Sequence, residues 1–286
     1  MAHNLAQCRV LVQKAAAAGA KVLRPISHSL LPPDQQPNQT LQALFLPEAS
    51  DYIASSPTES LSLCKSVDAS PFVQGLQSEA RKHSLAIQVG LHEPSPVKGK
   101  IKNTLVWLDA QGSLTNRYQK LHLFDMDLSD TGGPKMRESD SIEAGTEILP
   151  PYETELGKVG ALICFDLRFA EVALALKRMG VQVLTYPSAF TPETGKMHWH
   201  ALLRARAIET QAYVVAAAQV GAHNEKRSSY GHSLVVDPWG RVVAELGGVE
   251  DKEAKGSEWE PEIAVFDIDL DICRKLAREM PLLRRT

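Results

Sequence analysis

The unbroken apolar run Val159-Gly-Ala-Leu-Ile163 ends on Cys164, and Phe165-Asp-Leu-Arg-Phe169 leads at once into helix-forming residues. A cysteine at such a strand-to-helix junction has the layout of a nucleophile elbow. Helix N-terminal amides beside it would stabilise a thiolate and draw its pKa below the ordinary value of roughly 8.5, and the same amides could hold an oxyanion. Glu48 follows the apolar run Leu44-Phe-Leu46 and Pro47, so its carboxylate emerges from the end of a core strand rather than from an open helix face. Lys120 sits in Arg117-Tyr-Gln-Lys-Leu-His-Leu-Phe124, between apolar and aromatic neighbours. A thiol, a carboxylate and an ammonium together supply a nucleophile, a proton carrier and a positive charge for a developing oxyanion. Each residue also has an ordinary reading: a small buried hydrophobe for Cys164, a solvated loop carboxylate for Glu48, a surface lysine for Lys120.

The elements that must position these residues are legible from periodicity and punctuation. Leu5 to Ala18 is rich in helix formers, with Gly19 where a C-cap belongs. Ala20 to Leu23 starts like a strand, and the proline-rich stretch 24–43 reads as a loop insertion. Leu44 to Leu46 is a short buried strand, Pro71 to His83 a helix, and Leu85 to Leu91 and Thr104 to Leu108 are strands. From Val159 onward strands and helices alternate: strand to Cys164, helix Ala170 to Met179, strand Val181 to Tyr186, helix His198 to Thr210, strand Ala212 to Ala218. That order indicates α/β layering. Ser233 to Ala244 reads as a β-hairpin around Pro238 and Gly240, Ile263 to Ile268 as a final strand and Leu270 to Arg278 as a last helix. The reading is of one domain over residues 1–286.

Composition narrows the partners. With 31 basic and 34 acidic residues the net charge is −3, and no long run of either sign offers a surface to nucleic acid or an anionic membrane. No stretch approaches the ~18 consecutive apolar residues of a membrane span, and residues 1–7 lack a secretory h-region. Cys8, Cys64, Cys164 and Cys273 are widely spaced and suggest neither a disulfide framework nor a zinc knuckle. A small-molecule substrate in the cytoplasm is the expectation, with the mitochondrion as the alternative.

Three motifs, taken in order, carry more than their parts. Leu44-Phe-Leu-Pro-Glu-Ala-Ser50, Tyr118-Gln-Lys-Leu-His-Leu-Phe-Asp125 and Gly160-Ala-Leu-Ile-Cys-Phe-Asp-Leu-Arg-Phe169 resemble the Glu, Lys and Cys motifs of the nitrilase superfamily. The resemblance continues through Tyr186 to Phe190, His198-Trp199, Arg204 to Glu209 and Gly231 to Gly240, nearly the whole chain. It implies an αββα sandwich that pairs as a homodimer, and an amidase that needs no metal or cofactor. It also implies roles: Cys164 as nucleophile, Glu48 as general base, Lys120 and the Phe165 backbone N–H around the oxyanion, and Glu138 as a supporting glutamate. Phe45 to Tyr52 and Pro187 to Gly195 look most like the Nit branch, which hydrolyses deaminated glutathione. Arg168 would then bind the keto-acid carboxylate, or else pair with Asp166 or Glu171, and Thr194 is a candidate hydroxyl donor. His198 and Trp199 either line the pocket or pack, His122 has no assigned role, and Arg204, Arg206 and Glu209 read as a structural charge network. An ω-amidase acting on 2-oxoglutaramate-like amides and a silent Nit-type scaffold are the alternatives. Against the family's pattern, the expected core strand before the first helix is absent and the 24–43 insertion separates Leu23 from Leu44, as a gene-model error or an extended loop would produce.

Overall fold

In the computed structural model of the protein, residues 1–18, 43–127, 129–131, 135–225, 227–251 and 260–283 are described. The predicted Ala20 to Leu23 strand and the Gly19 cap lie outside them, as does all of the 24–43 insertion except Ala43. One sheet runs β1 (Ala43–Phe45), β2 (Ala86–Pro94), β3 (Ile101–Leu108), β4 (Leu114–Gln119) in spatial order. The strand after Pro37 thus begins at Ala43, one residue inside the predicted loop, because Ala43 joins the parallel ladder opposite Ala86. β5 (Asp125–Asp127) and β6 (Lys135–Arg137) form a separate hairpin, and β7 (Ile142–Glu143) pairs with the start of β3. A second sheet is built from β8 (Tyr152–Thr154), β9 (Gly157–Ala161), β10 (Val183–Thr185), β11 (Tyr213–Ala216), β14 (Leu234–Val236) and β15 (Val242–Glu245). β12 (Val220–Asn224) and β13 (Arg227–Tyr230) form a hairpin beside it.

Strand alternation sends side chains to two different layers. On β2, Ile87, Val89 and Leu91 pack under helices α1 (Ala2–Ala17) and α3 (Pro71–His83), with Val12, Phe72, Leu76 and Ala80. On the second sheet, Leu184, Val214, Ala216 and Val236 meet α4 (Ala170–Arg178) and α5 (Pro192–Thr210), through Leu176, Trp199, Leu203 and Ala207. The opposite faces meet each other: Val159, Val183, Tyr213, Val215 and Val235 from one sheet, Ala86 and Trp107 from the other. Phe45, Trp107 and Tyr152 join there edge to face, with centroids 6.0 and 5.8 Å apart. Helix, sheet, sheet, helix is the αββα order. Further helices are α2 (Pro57–Leu63) and α6 (Leu270–Glu279).

Two predicted elements differ. Ile263 to Ile268 pairs with no strand among the described residues; Ile268 is buried in the inter-sheet cluster and Ile263 packs under α1, so its apolar periodicity reports side-chain burial without a ladder. Helix α5 begins at Pro192 rather than His198, since a proline read as loop punctuation serves as the first helical residue, whose missing N–H costs nothing there.

Candidate active site

Glu48, Lys120 and Cys164 lie beyond the carboxyl ends of β1, β4 and β9, where the two sheets meet. Past β1 the chain is clamped to β2: the Gly90 N–H donates to the Pro47 carbonyl at 3.1 Å and the Ser50 N–H to the Gly90 carbonyl at 2.8 Å. A Cβ on Gly90 would lie 2.6 Å from Glu48 Cα, so the approach that seats Glu48 requires glycine. From the other sheet, Gln219 Nε2 donates to the Glu48 carbonyl at 2.9 Å. Lys120 is held by its N–H on the Asn103 carbonyl, 2.9 Å, and by the Gly145 N–H on its own carbonyl, 2.8 Å.

Cys164 has φ +45°, an unusual left-handed conformation for a side chain other than glycine. β9 stops at Ala161, and Cys164 opens a 3-10 segment over Cys164–Arg168. Asp166, fully buried, fixes this elbow to the strand that carries Lys120. Its Oδ2 accepts from Tyr118 Oη at 2.7 Å and from the Ile163 N–H at 2.9 Å, and its Oδ1 from the His122 N–H at 2.9 Å, with His122 Nδ1 2.8 Å away. His122, unassigned from sequence, is thereby a positioning residue, stacked on Phe169 at 3.6 Å.

The charges interlock. Lys120 Nζ lies 2.9 Å from Glu48 Oε1 and 3.0 and 2.9 Å from the two Glu138 oxygens. Asn103 Nδ2 donates to Glu48 at 2.8 Å and to Glu138 at 3.2 Å. The Ala189 N–H reaches Glu48 Oε2 at 2.9 Å and the Phe124 N–H reaches Glu138 Oε2 at 2.7 Å. The Cys164 thiol lies beside the Glu48 carboxylate and the Ala189 N–H, near enough for both to act on it. The Phe165 N–H, in the open first turn of the 3-10 segment, meets no acceptor among the described residues.

Electrostatics follow from burial and neighbours. Burial would push Glu48 toward its neutral form, but Lys120, then Cys164 and Asn103, hold it below the usual carboxylate range. Burial would likewise strip Lys120 of its proton, yet the Glu138 and Glu48 carboxylates keep it well above the ordinary lysine value. For Cys164, burial and then Glu48 raise the thiol far above its ordinary range, against the opposing pull of Lys120 and the Ala189 N–H. The expected helix-lowered thiolate is therefore corrected: desolvation and an adjacent anion outweigh the amides, and the resting pair is a neutral thiol beside a carboxylate.

The other predicted residues divide. Arg168 pairs with neither Asp166 nor Glu171; its guanidinium lies 5.6 Å from the centroids of both Phe165 and Phe190, with Nη2 3.2 Å from His198 Nδ1. Thr194 spends its hydroxyl on Thr191 Oγ1, 2.8 Å away at the start of α5. Trp199 is core, 1% exposed, and donates to the His232 carbonyl. Arg206 joins Glu209 at 2.7 Å and the Leu167 carbonyl at 3.0 Å, and Arg204 reaches the Gly240 carbonyl at 2.8 Å. Sequence reasoning missed Asn103 and read Asp166 only as a possible partner of Arg168. Asp166 sits between Phe165 and Leu167, a signal that it must find partners once buried, whereas Asn103, between Lys102 and Thr104, gives no such signal.

The sequence pattern of the carbon-nitrogen hydrolase family matches residues 3–278, and the chain belongs to that family. It is a hydrolase of amide carbon–nitrogen bonds on the nitrilase-superfamily sandwich. The chain is 43% identical over 284 residues to the "Probable hydrolase nit2" of Schizosaccharomyces pombe, covering 99% of this chain and 91% of that one. It is 43% identical over 244 residues to the "Deaminated glutathione amidase" of Homo sapiens, covering 84% of this chain and 70% of that one. The crystal structure of the C. elegans NitFhit protein superposes with a TM-score of 0.81 at 36% identity, over 100% of this chain and 62% of that one. The chain thus spans less than two thirds of that protein. Among the described residues no helix is long and apolar enough to cross a membrane.

Proposed function

We propose that this chain hydrolyses deaminated glutathione to 2-oxoglutarate and cysteinylglycine through a thioester on Cys164. The observation that carries the reading is the convergence of the Cys164 thiol on a buried Glu48 carboxylate that Lys120 Nζ holds at 2.9 Å. Glu48 takes the thiol proton as sulfur attacks the amide carbonyl. The oxyanion is met by Lys120 Nζ and the Phe165 N–H, and Glu48 then passes its proton to the departing amine. Water, deprotonated by Glu48, cleaves the thioester, releasing the acid and restoring the thiol. Glu138 holds Lys120 in place. Arg168 is assigned to the keto-acid carboxylate: it has no carboxylate partner among the described residues, and its planar fork suits two-point binding. Thr194, in the first turn of α5, is kept as the candidate hydroxyl donor, which requires it to exchange its bond to Thr191 for one to the substrate. The name of the human relative supports the substrate class. All four cysteines are free, which suits a reducing cytoplasm.

The test sets kcat/KM on deaminated glutathione against 2-oxoglutaramate. A higher value for the first is expected; the reverse order assigns an ω-amidase, and no turnover of either would leave a silent scaffold. Arg168→Lys should cost about 2–3 kcal/mol in kcat/KM, the scale of a charge-assisted contact. Labelling of Cys164 by a small thiol reagent should be kept, because that reaction needs no carboxylate site. Equal loss of both would mean that Arg168 only supports the elbow.

A further inference from the structure

A second convergence of side chains shares no residue with the cluster around Cys164. His200 projects from α5 and His232 from the turn between β13 and β14, while Glu245 ends β15. His200 Nε2 and His232 Nδ1 both lie 2.8 Å from the same oxygen, Glu245 Oε1. The three donor atoms fall within 4.8 Å of one another. His232 is backed on its other nitrogen by Glu250 Oε1, 3.3 Å from Nε2. A carboxylate behind an imidazole fixes the tautomer in which the forward nitrogen keeps its lone pair, the usual outer support of a metal-binding histidine.

The backbone is shaped for this imidazole. His232 has φ +56°, a conformation that costs a non-glycine residue on the order of 1–3 kcal/mol. It is held there by the Trp199 Nε1–H on its carbonyl at 2.8 Å and by its own N–H on the Gly247 carbonyl at 3.2 Å. Opposite the ring, a Cβ on Gly248 would lie 2.1 Å from His232 Nε2, so any other residue would push the imidazole from this position. A surface hydrogen bond between histidine and glutamate requires neither the strained turn nor the cleared wall.

We propose that His200, His232 and Glu245 form a binding site for a divalent transition-metal ion of the zinc class. Two imidazole nitrogens and one carboxylate oxygen are a donor set suited to such ions, and three protein ligands leave a fourth position to water. On binding, each neutral imidazole turns its lone pair to the ion and carries its proton on the other nitrogen, which for His232 donates to Glu250. The ion ties α5, the His232 turn and β15 together. Its role is that of a staple, since the amide chemistry at Cys164 draws on none of these residues.

Cobalt(II) added to the chelator-treated full chain is the direct test. One equivalent should bind with visible bands and without the intense near-ultraviolet band of thiolate ligation, both in the parent and in Cys164→Ala. His200→Gln keeps a hydrogen-bond donor toward Glu245 but should abolish this spectrum, and Glu250→Gln should weaken zinc competition about 10–100-fold. Zinc should raise the melting temperature of the parent and not of His200→Gln. Absence of binding, a thiolate band, or a spectrum unchanged in His200→Gln would each overturn the site and leave a hydrogen-bonded relay in its place.

Discussion

Glu48 and Lys120 keep charges that burial alone would remove, Cys164 keeps the proton that burial favours, and this fixes a pH signature. Lys120 and Cys164 have folded values raised above the ordinary 10.5 and 9.0. Their stabilisation is present below those values and is lost as pH rises above them, toward their folded values. Glu48 has a lowered value, so its stabilisation is present above the ordinary 4.5 and is lost as pH falls through its folded value. Melting temperature should therefore hold a plateau through neutral pH and fall on both sides, the alkaline fall beginning near 9. The thiolate fraction, read by ultraviolet absorbance against a Cys164→Ala blank, should stay small where a free thiol already titrates. In Glu48→Gln the thiolate should form at lower pH, since the anion that opposes it is gone. Unchanged titration there would mean that burial alone sets the thiol.

At the scale of elements, the site depends on where strands stop and how loops are clamped. Gly90→Ala tests this most sharply. The added methyl meets backbone, 2.6 Å from Glu48 Cα and 2.8 Å from the Pro47 carbonyl oxygen, and neither can swing aside as a side chain would. The Glu48 loop must shift, and a displacement of this order costs about 100-fold in rate. Turnover should fall by that factor while far-ultraviolet circular dichroism stays near the parent's; full activity would show that the loop is not held by this contact. The sequence made the strand before Glu48 and the run before Cys164 visible, because a buried strand must be apolar. Asn103 and Asp166 stayed hidden for a physical reason. The side-chain partners of Asn103 are Glu48 and Glu138 and those of Asp166 are Tyr118 and His122, all 35 to 55 residues away in sequence, and only the strand register brings them together. The end of β9 at Ala161 was likewise invisible, since Leu162 and Ile163 are as apolar and as buried as the strand itself.

For the whole molecule we propose a homodimer. Met197, Ile208 and Trp239 are 69, 44 and 54% exposed, Met197 and Ile208 on α5 and Trp239 on the β14–β15 turn, and Gly240 brings that turn against Ile208. Sedimentation should give a dimer for the parent and a monomer for Ile208→Glu with Trp239→Glu, because two buried charges would oppose association. A dimer that survives both substitutions would place the interface elsewhere.

The ion cluster between the sheets has a further consequence, for what natural selection can do with this chain. Two carboxylates and one ammonium, with Lys120 and Glu48 2 and 5% exposed, are a poor way to hold two layers together. Lys120→Met alone should cost about 3–5 kcal/mol, because it abandons two buried anions. Glu48→Gln, Lys120→Met and Glu138→Gln made together keep acceptor oxygens for the Asn103, Ala189 and Phe124 donors and remove every charge. That inactive triple variant should unfold at the parent's denaturant midpoint or above it, by about 1–4 kcal/mol of added stability. A lineage that kept this fold but no longer cut amides would gain by discarding these ions first, so a copy that still carries all of them is one in which turnover has been selected over robustness.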